Sequence, residues 1–197
     1  MDFIHLKSME SLPAFLRSAL SQPLPGQLAQ EIMMPTLTDK SRFSIEKKKN
    51  ARNGAVMILF YLKNNSWYFP LIQRPDYDGV HAKQMSFPGG KMDEEDKNLE
   101  ETALRETHEE IGVPHHNVET IGELTDLYVV ASNYLVLPIV AVLDSPPQFV
   151  KDPYEVDEII EVKLTDLMDE RNNKSMDMKI MQGITIHSPY FDLNQKV

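Results

Sequence analysis

A group of carboxylates near the middle of the chain has the residue types and spacing to bind a divalent cation. The group lies in residues 105–110, which read RETHEE. Residues three and four apart share one face of a helix, so Glu106, Glu109 and Glu110 would converge on one side. Three like charges repel each other, whereas Mg²⁺ or Mn²⁺, which prefer oxygen ligands, would turn them into a binding site. The alternative interpretation is a solvated acidic helix face.

The residues around this group could orient a carboxylate and admit a ligand. Arg105 lies four residues before Glu109, so an ion pair along one helix turn could fix the direction of that carboxylate. The glycine pair Gly89 and Gly90 precedes the acidic loop, and glycines let the backbone come close to a metal ion or a phosphate. These neighbours favour a cation site over a bare charged surface.

A helix with well-marked ends must carry the carboxylates. We predict it at residues 97–111, with Asp96 as a candidate N-cap and Gly112 as the C-terminal stop. Its sheet-facing residues would be Leu99, Ala103 and Ile111.

Strand-like segments flank this helix on both sides. The runs AVMILFYL and WYFPLIQ, joined by the turn-prone residues 63–66, predict a hairpin, and Pro70 predicts that its second strand lies near a sheet edge. The other predicted elements are a helix at 10–21, strands at 122–130, 134–143 and 158–163, a short helix at 164–170, and strands near Met176 and Ile184. Strands in hairpin and crossover relations around one long helix predict an α/β fold with a mixed sheet.

The composition narrows the class of protein. The chain has 197 residues, 42% hydrophobic and 25% charged, which suits one globular domain with a small extension. Its net charge of -10 disfavours nucleic acid as a partner, but divalent ions would let it bind an anionic small molecule. No segment matches a membrane span or a signal peptide, and there are no cysteines. We therefore expect a cytoplasmic protein without a membrane partner and without thiolate or disulfide chemistry.

The segment GGKMDEEDKNLEETALRETHEEIGV resembles the Nudix box. The pattern of that box is Gly, five residues, Glu, seven residues, Arg-Glu, an apolar residue, any residue, Glu-Glu, any residue, Gly and an apolar residue. The Arg-Glu, Glu-Glu and Gly-Val positions are intact. Counted from Gly90, the early acidic position of the pattern falls on Asp96. Eight residues rather than seven separate Asp96 from Arg105, and Thr107 takes a position that is usually aliphatic.

This resemblance implies both a fold and a division of the chain. The expected fold is a Nudix-like α/β/α sandwich, with a mixed β-sheet and the box helix packed on it, in residues 50–197. Residues 1–49 would form an N-terminal helical extension and linker, and the helix within them is either a packing arm or a dimer contact. Members of the family typically continue past residues 189–191 into a further strand and helix. The C-terminal end therefore looks short, and a homodimer is a further expectation.

The resemblance also implies roles for the acidic residues. The metal ligands for Mg²⁺ or Mn²⁺ would be Glu106, Glu109 and Glu110. Glu109 or Glu110 would also lie near the attacking water, and Arg105 would orient a carboxylate, which makes these three the expected catalytic residues. Some Nudix enzymes use an acidic residue from a later loop as the base, and Glu155 or Glu158 could serve here. The favoured interpretation of these two residues is a solvated loop that leads into a strand, so we leave them outside the predicted site.

The segment before the box, LIQRPDYDGVHAKQMSFPGG, resembles the signature of the coenzyme A pyrophosphatase branch. The implied substrate-binding residues are Arg74, His81, Gln84, Gly89 and Gly90. Gly79 stands where a second arginine is often found, and Lys83 where a glycine is usual. Without the resemblance, Arg74 would be interpreted as a surface ion pair and His81 as a loop histidine.

The expected function is metal-dependent hydrolysis of a pyrophosphate bond in a nucleoside diphosphate derivative. Coenzyme A or acyl-coenzyme A, cut to 3',5'-ADP and 4'-phosphopantetheine, is the leading substrate. The departures at Gly79 and Lys83 keep ADP-ribose or a dinucleotide open as alternatives. The irregular box spacing and the short C-terminal end keep open a catalytically silent module that binds a nucleotide.

Overall fold

A mixed β-sheet runs through the part of the chain that the computed structural model describes, which is residues 11–36, 50–75, 84–130, 132–179 and 185–193. Its strands are β1 (Arg52–Lys63), β2 (Ser66–Gln73), β3 (Met85–Ser86), β4 (Gly89–Lys91), β5 (Val118–Glu123), β6 (Leu127–Val129), β7 (Tyr134–Leu143) and β8 (Glu158–Lys163). The order is β3-β2-β1-β7-β5, with β4 paired to β1, β6 to β7 and β8 to β2. The β1 and β7 strands are parallel and the other pairs are antiparallel, which confirms the predicted mixed sheet.

The predicted hairpin is formed by β1 and β2. Lys63 pairs with Ser66, and the turn residues Asn64 and Asn65 have φ values of 50° and 55°. Asparagine tolerates this left-handed backbone, and two such residues in succession match the twist of the flanking strands. The local sequence therefore fixes the register of the hairpin.

The edge position predicted for β2 from Pro70 is wrong. The β2 strand pairs with β1 at one end, with β3 at the other end, and with β8 along residues 68–73. In the described residues Pro70 has its register partner in β8, Glu161, and it lies in the gap between the β1 and β3 pairings. A missing backbone N–H costs little in such a gap, so a proline fits inside this sheet.

Helices cover both faces of the sheet. The helices are α1 (Ser11–Leu20), α2 (Gln27–Ile32), α3 (Leu99–Ile111) and α4 (Leu164–Leu167). Alternate β1 residues enter two separate cores, with Leu59 on the α3 side and Phe60 on the side of α1 and α4. The structure therefore has the predicted α/β/α layers, and α3 is the helix that covers one face in the described part of the chain. None of the described helices is long and apolar enough to cross a membrane.

The ends of α3 agree with the sequence at one terminus and differ at the other. Gly112 has a φ of 73° and its N–H bonds back into the last turn at 2.9 Å, as expected for a helix stop. The N-cap is Asn98, whose side chain accepts a backbone N–H of the first turn at 2.8 Å. The expectation that Asp96 caps the helix is wrong, because that carboxylate instead bonds to Arg105.

Two predicted elements are interrupted in the structure. The strand expected at 122–130 is divided between β5 and β6, and the side chain of Gln30 bonds to the carbonyls of Thr125 and Asp126 at 3.1 and 3.0 Å in the break. These carbonyls are satisfied without a partner strand, so the ladder ends there. The helix expected at 164–170 is α4 followed by a 3₁₀ turn, Glu170–Asn172.

A small second sheet follows the main one. It consists of β9 (Asn173–Lys179) and β10 (Thr185–Phe191), paired antiparallel. The strands predicted near Met176 and Ile184 correspond to this pair, although Ile184 itself lies outside the described residues.

Candidate metal centre

Helix α3 directs two glutamates at the glycine pair of β4. The backbone N–H of Gly89 donates to Oε2 of Glu110 at 2.8 Å. A Cβ atom added to Gly90 would lie 2.4 Å from Oε1 of Glu106. A side chain at Gly90 would therefore collide with the carboxylate, and the absence of one lets the glycine backbone and the helix carboxylates share the same space.

A third carboxylate reaches this point from the segment between β7 and β8. One oxygen from each of Glu106, Glu110 and Glu155 lies within 4.8 Å of the others. The sequence predicts that Glu155 and Glu158 lie in a solvated loop that leads into a strand. The structure brings Glu155 into this group, whereas Glu158 is the first residue of β8 and is not in it. The expectation that Glu155 stands apart from the acidic residues is therefore wrong.

Glu109 lies outside this group, at the rim. Its side chain is 55% exposed, and Oε2 accepts a hydrogen bond from Arg105 Nη1 at 2.9 Å. Glu110, the next residue, is 1% exposed. The two neighbouring glutamates therefore occupy different environments.

Arg105 binds several acidic and carbonyl groups beside the centre. Its guanidinium donates to both oxygens of Asp96 at 3.0 Å and to the backbone oxygen of Lys91 at 3.1 Å. It also donates to Glu106 at 2.9 Å. The bonds from Arg105 hold the pKa of Asp96 well below its usual range. Arg105 thus fastens α3 to the preceding loop and orients two glutamates, Glu106 and Glu109.

Burial raises the pKa values of two glutamates of the centre, in contrast to the lowered pKa of Asp96. It raises the pKa of Glu110 from 4.5 to about 8, against the smaller lowering effects of the Gly89 N–H and of Arg74. The negative charges of Glu106 and Glu155 add to this increase. Burial also raises the pKa of Glu106. The positive groups near Glu110 therefore do not compensate its charge, and the site favours either a proton or a cation.

The predicted substrate-binding residues outside the glycine pair differ in how close the structure places them to the metal centre. Nη2 of Arg74 lies 3.7 Å from Oε1 of Glu110 and 3.4 Å from the carbonyl oxygen of Gly89, so this arginine borders the centre. The backbone of Gln84 accepts from the N–H of Arg74 at 3.1 Å, and the Gln84 residue is exposed. His81 lies outside the described residues.

The donor set fits a hard divalent cation. Glu106, Glu110 and Glu155 supply oxygen ligands and bring three potential negative charges together, which is the ligand type that Mg²⁺ and Mn²⁺ prefer over nitrogen and sulfur sites. A bound ion would also stabilise the charged form of Glu110, which burial disfavours.

The sequence matches a known domain family over most of its length. The family described as NUDIX domain matches residues 51–181. The protein named uncharacterized Nudix hydrolase NudL from Photorhabdus laumondii is 39% identical over 119 residues, which cover 60% of this chain and 63% of that protein. A protein of the same name from Yersinia enterocolitica is 34% identical over 130 residues, 63% of this chain and 66% of that protein. The match thus spans less than two thirds of either relative.

Solved structures share the fold. A Nudix hydrolase from M. smegmatis, RenU, superposes with a TM-score of 0.51 at 17% identity, over 60% of this chain and 74% of that one. The C. elegans Ap4A hydrolase binary complex gives a TM-score of 0.50 at 18% identity, over 59% of this chain and 83% of that one. Both similarities concern the fold alone. Together with the sequence match, they place the acidic centre within a recognised domain: the chain belongs to the NUDIX domain family.

Proposed function

We propose that this chain hydrolyses the pyrophosphate bond of a nucleoside diphosphate derivative, with Mg²⁺ or Mn²⁺ bound at the acidic centre. The observation that carries the proposal is the convergence of Glu106, Glu110 and Glu155 within 4.8 Å, beside Gly89 and Gly90. A pyrophosphate repels an anionic nucleophile, and a divalent ion held by Glu106, Glu110 and Glu155 would supply positive charge that offsets this repulsion and polarises phosphorus.

In this proposal the protein side chains position the reacting parts. Glu106, Glu110 and Glu155 hold the ion, and Glu109 is a further acidic residue at the rim, oriented by Arg105. Glu155 would also accept the proton of the attacking water, through the carboxylate oxygen that does not hold the ion. It suits that role because it is exposed and, in the described part of the chain, has no ion pair with a basic residue, whereas Glu109 is bonded to Arg105 and Glu110 is buried.

Arg74 is the proposed contact for the phosphate groups of the substrate. Its planar guanidinium carries several N–H donors, and its side chain is 30% exposed while it borders the metal centre. Gln84 and His81 are proposed to add hydrogen bonds to the same substrate, as their places in the pre-box segment imply. Gly89 and Gly90, whose backbone lies against the Glu110 and Glu106 carboxylates, are proposed to contact the same substrate.

Coenzyme A or acyl-coenzyme A is the proposed substrate, with 3',5'-ADP and 4'-phosphopantetheine or its acyl form as products. The support is the sequence of the pre-box segment, which ends in Phe-Pro-Gly-Gly and contains Arg74, His81 and Gln84. Gly79 and Lys83 depart from that signature and favour a second candidate, the same hydrolysis on ADP-ribose or a dinucleotide.

Incubation with coenzyme A and Mg²⁺ or Mn²⁺, followed by chromatography, tests the proposal. We expect the two products to appear together and only with metal. Glu110→Gln should lose most of this activity. Its matched control is Glu119→Gln, because Glu119 pairs with Arg17 on α1 rather than with the metal centre. Preferred turnover of ADP-ribose or a dinucleotide would reject coenzyme A as substrate and keep the chemistry. Binding of these nucleotides without hydrolysis under any metal condition would show a catalytically silent module.

A further inference from the structure

The side chain of Asp152 closes the turn that carries Glu155. Its Oδ1 atom accepts the backbone N–H groups of Tyr154 and Glu155 at 2.7 and 3.0 Å. An aspartate often bonds in this way to amides two and three residues downstream, and a proline, here Pro153, restricts the backbone between them. The backbone direction at Glu155 is therefore set by a side chain three residues earlier.

Backbone hydrogen bonds join the start of this turn to the end of α3. The N–H of Asp152 donates to the carbonyl of Glu110 at 3.0 Å, and the N–H of Val150 donates to the carbonyl of Ile111 at 3.0 Å. These carbonyls belong to the last turn of the helix, where intrahelical donors run out. The turn is thus bonded to the same residue, Glu110, whose carboxylate enters the metal centre.

The far end of the turn is fixed as well. Val156 is fully buried, and its N–H donates to the carbonyl of Asp152 at 3.0 Å. The N–H of Asp157 donates to the carbonyl of Gln73 in β2 at 2.9 Å. Glu155 lies between these fixed points, and its carboxylate has no hydrogen bond with another described side chain. Its position therefore depends on the backbone of the turn.

We propose that Asp152 is a positioning residue for the metal centre, which holds Glu155 beside Glu106 and Glu110 by closing this turn. The proposal rests on the proposed function of the acidic centre. Asp152 acts as a hydrogen-bond acceptor and its charge is not required. An amide oxygen at the same position would therefore accept the same two hydrogen bonds. A methyl group would leave the two backbone N–H groups without their acceptor, and the turn would no longer be fixed.

Titration of the full chain with Mn²⁺ alone, followed by calorimetry, tests the assignment independently of turnover. We expect Asp152→Ala to weaken Mn²⁺ binding by about tenfold, the effect typical of residues that orient a metal ligand. Asp152→Asn should stay within about twofold of the unsubstituted chain, because its Oδ1 still accepts. Asp169→Ala is the matched control, since Asp169 accepts the Arg171 N–H at 3.0 Å in a similar turn before β9. It should leave the affinity unchanged.

A double-substitution cycle shows whether Asp152 acts through Glu155. In the Glu155→Gln background, Asp152→Ala should cause no further loss of affinity, because the ligand it positions is already gone. A full additional loss, or an equal loss for Asp152→Asn and Asp152→Ala, would overturn the proposal. Absence of Mn²⁺ binding by the unsubstituted chain would overturn it together with the metal centre. Normal Mn²⁺ binding without hydrolysis of any pyrophosphate would reject the proposed function alone.

Discussion

Two carboxylates with little side-chain exposure, Asp96 just before α3 and Glu110 within it, differ in how their charge is compensated. The side chains are 6% and 1% exposed, respectively. Asp96 accepts two hydrogen bonds at 3.0 Å from Arg105, and its pKa is lowered. Nη2 of Arg74 lies 3.7 Å from Oε1 of Glu110, too far for a hydrogen bond, and burial raises the Glu110 pKa to about 8.

The two carboxylates differ in whether the folded protein itself neutralises their negative charge. The protein itself supplies the positive partner of Asp96, so that interaction is complete on folding. Glu110 is buried next to Glu106 and Glu155 and has no equivalent partner among the described residues, which costs stability unless a proton or a cation binds. Negative charge alone therefore does not indicate a metal ligand, whereas burial without a close positive partner among the described residues supports Glu110 as a proposed ligand.

Glu110→Gln should have the largest effect. It removes one oxygen ligand from the proposed centre while it keeps an acceptor for the Gly89 N–H. A metal ligand contributes several kcal/mol to the transition state, and each 1.4 kcal/mol is tenfold in rate, so we expect kcat/KM to fall by about 100- to 1000-fold. The same variant should melt at a higher temperature than the unsubstituted chain without metal at pH 8, because it no longer buries a charge.

Asp96→Asn provides the contrast to Glu110→Gln. It weakens the bonds from Arg105, so the melting temperature should fall rather than rise. Thermal unfolding of both variants without metal gives the comparison. A lower melting temperature for Glu110→Gln would mean that Glu110 is compensated within the folded chain, and the distinction between the two carboxylates would be lost.

Gly90→Ala should have the next largest effect. The added Cβ would lie 2.4 Å from the Glu106 carboxylate, which belongs to a flexible side chain and can move aside. The fold should therefore survive, but the displaced ligand should weaken Mn²⁺ binding by about 10- to 100-fold. Gly122→Ala is the control, because its Cβ would meet the side chain of Leu20 at 3.1 Å, away from α3. Equal affinities in the two variants would exclude a close approach of Glu106 to Gly90.

The sequence predicted α3 and its acidic face well, because that information is local. Helix periodicity places Ala103 and Ile111 in the core and the glutamates on another side, and Gly112 ends the helix. The N-cap was misassigned because Asp96 and Asn98 are both good caps, and the choice depends on Arg105 capturing Asp96 from nine residues away.

The third carboxylate could not be found in the same way. Glu155 lies 45 residues after Glu110, and no periodicity relates the two. Their proximity depends on the path of the chain from β7 to β8 and on the Asp152 turn. A local signal did exist in the run DPYEV, which combines a turn-forming Asp-Pro pair with an apolar residue that is buried in the structure. That signal predicts a fixed turn, but not what the turn faces.

The pH dependence of stability should differ between the two carboxylates. The pKa of Glu110 is raised from 4.5 to about 8 on folding, so its stabilising contribution is complete below pH 4.5 and is lost as the pH rises through 8. Asp96 has a lowered pKa, so its contribution is present above pH 3.8 and is lost below it. Between pH 5 and 8.5 we expect the metal-free melting temperature to fall by about 10 °C.

Mn²⁺ provides the control for this pH dependence. The ion binds the charged form of Glu110, so saturating Mn²⁺ should reduce the decrease in melting temperature, and Glu110→Gln should reduce it without metal. Calorimetric scans across the same pH range measure all three cases. A melting temperature that rises steadily to pH 8.5 in the metal-free chain would contradict a buried, uncompensated Glu110.

Glu109→Gln should have the smallest effect. This variant tests whether the ion is held by the three glutamates of α3 or by Glu106, Glu110 and Glu155. The Glu109 carboxylate is 55% exposed and is bonded to Arg105 one turn away, an arrangement worth about 0.3–0.5 kcal/mol on an exposed helix. We therefore expect Mn²⁺ affinity to change by about twofold and kcat/KM to fall less than in Glu110→Gln. A loss as large as that of Glu110→Gln, with Glu155→Gln unaffected, would mean that the ion is held by the three glutamates of α3.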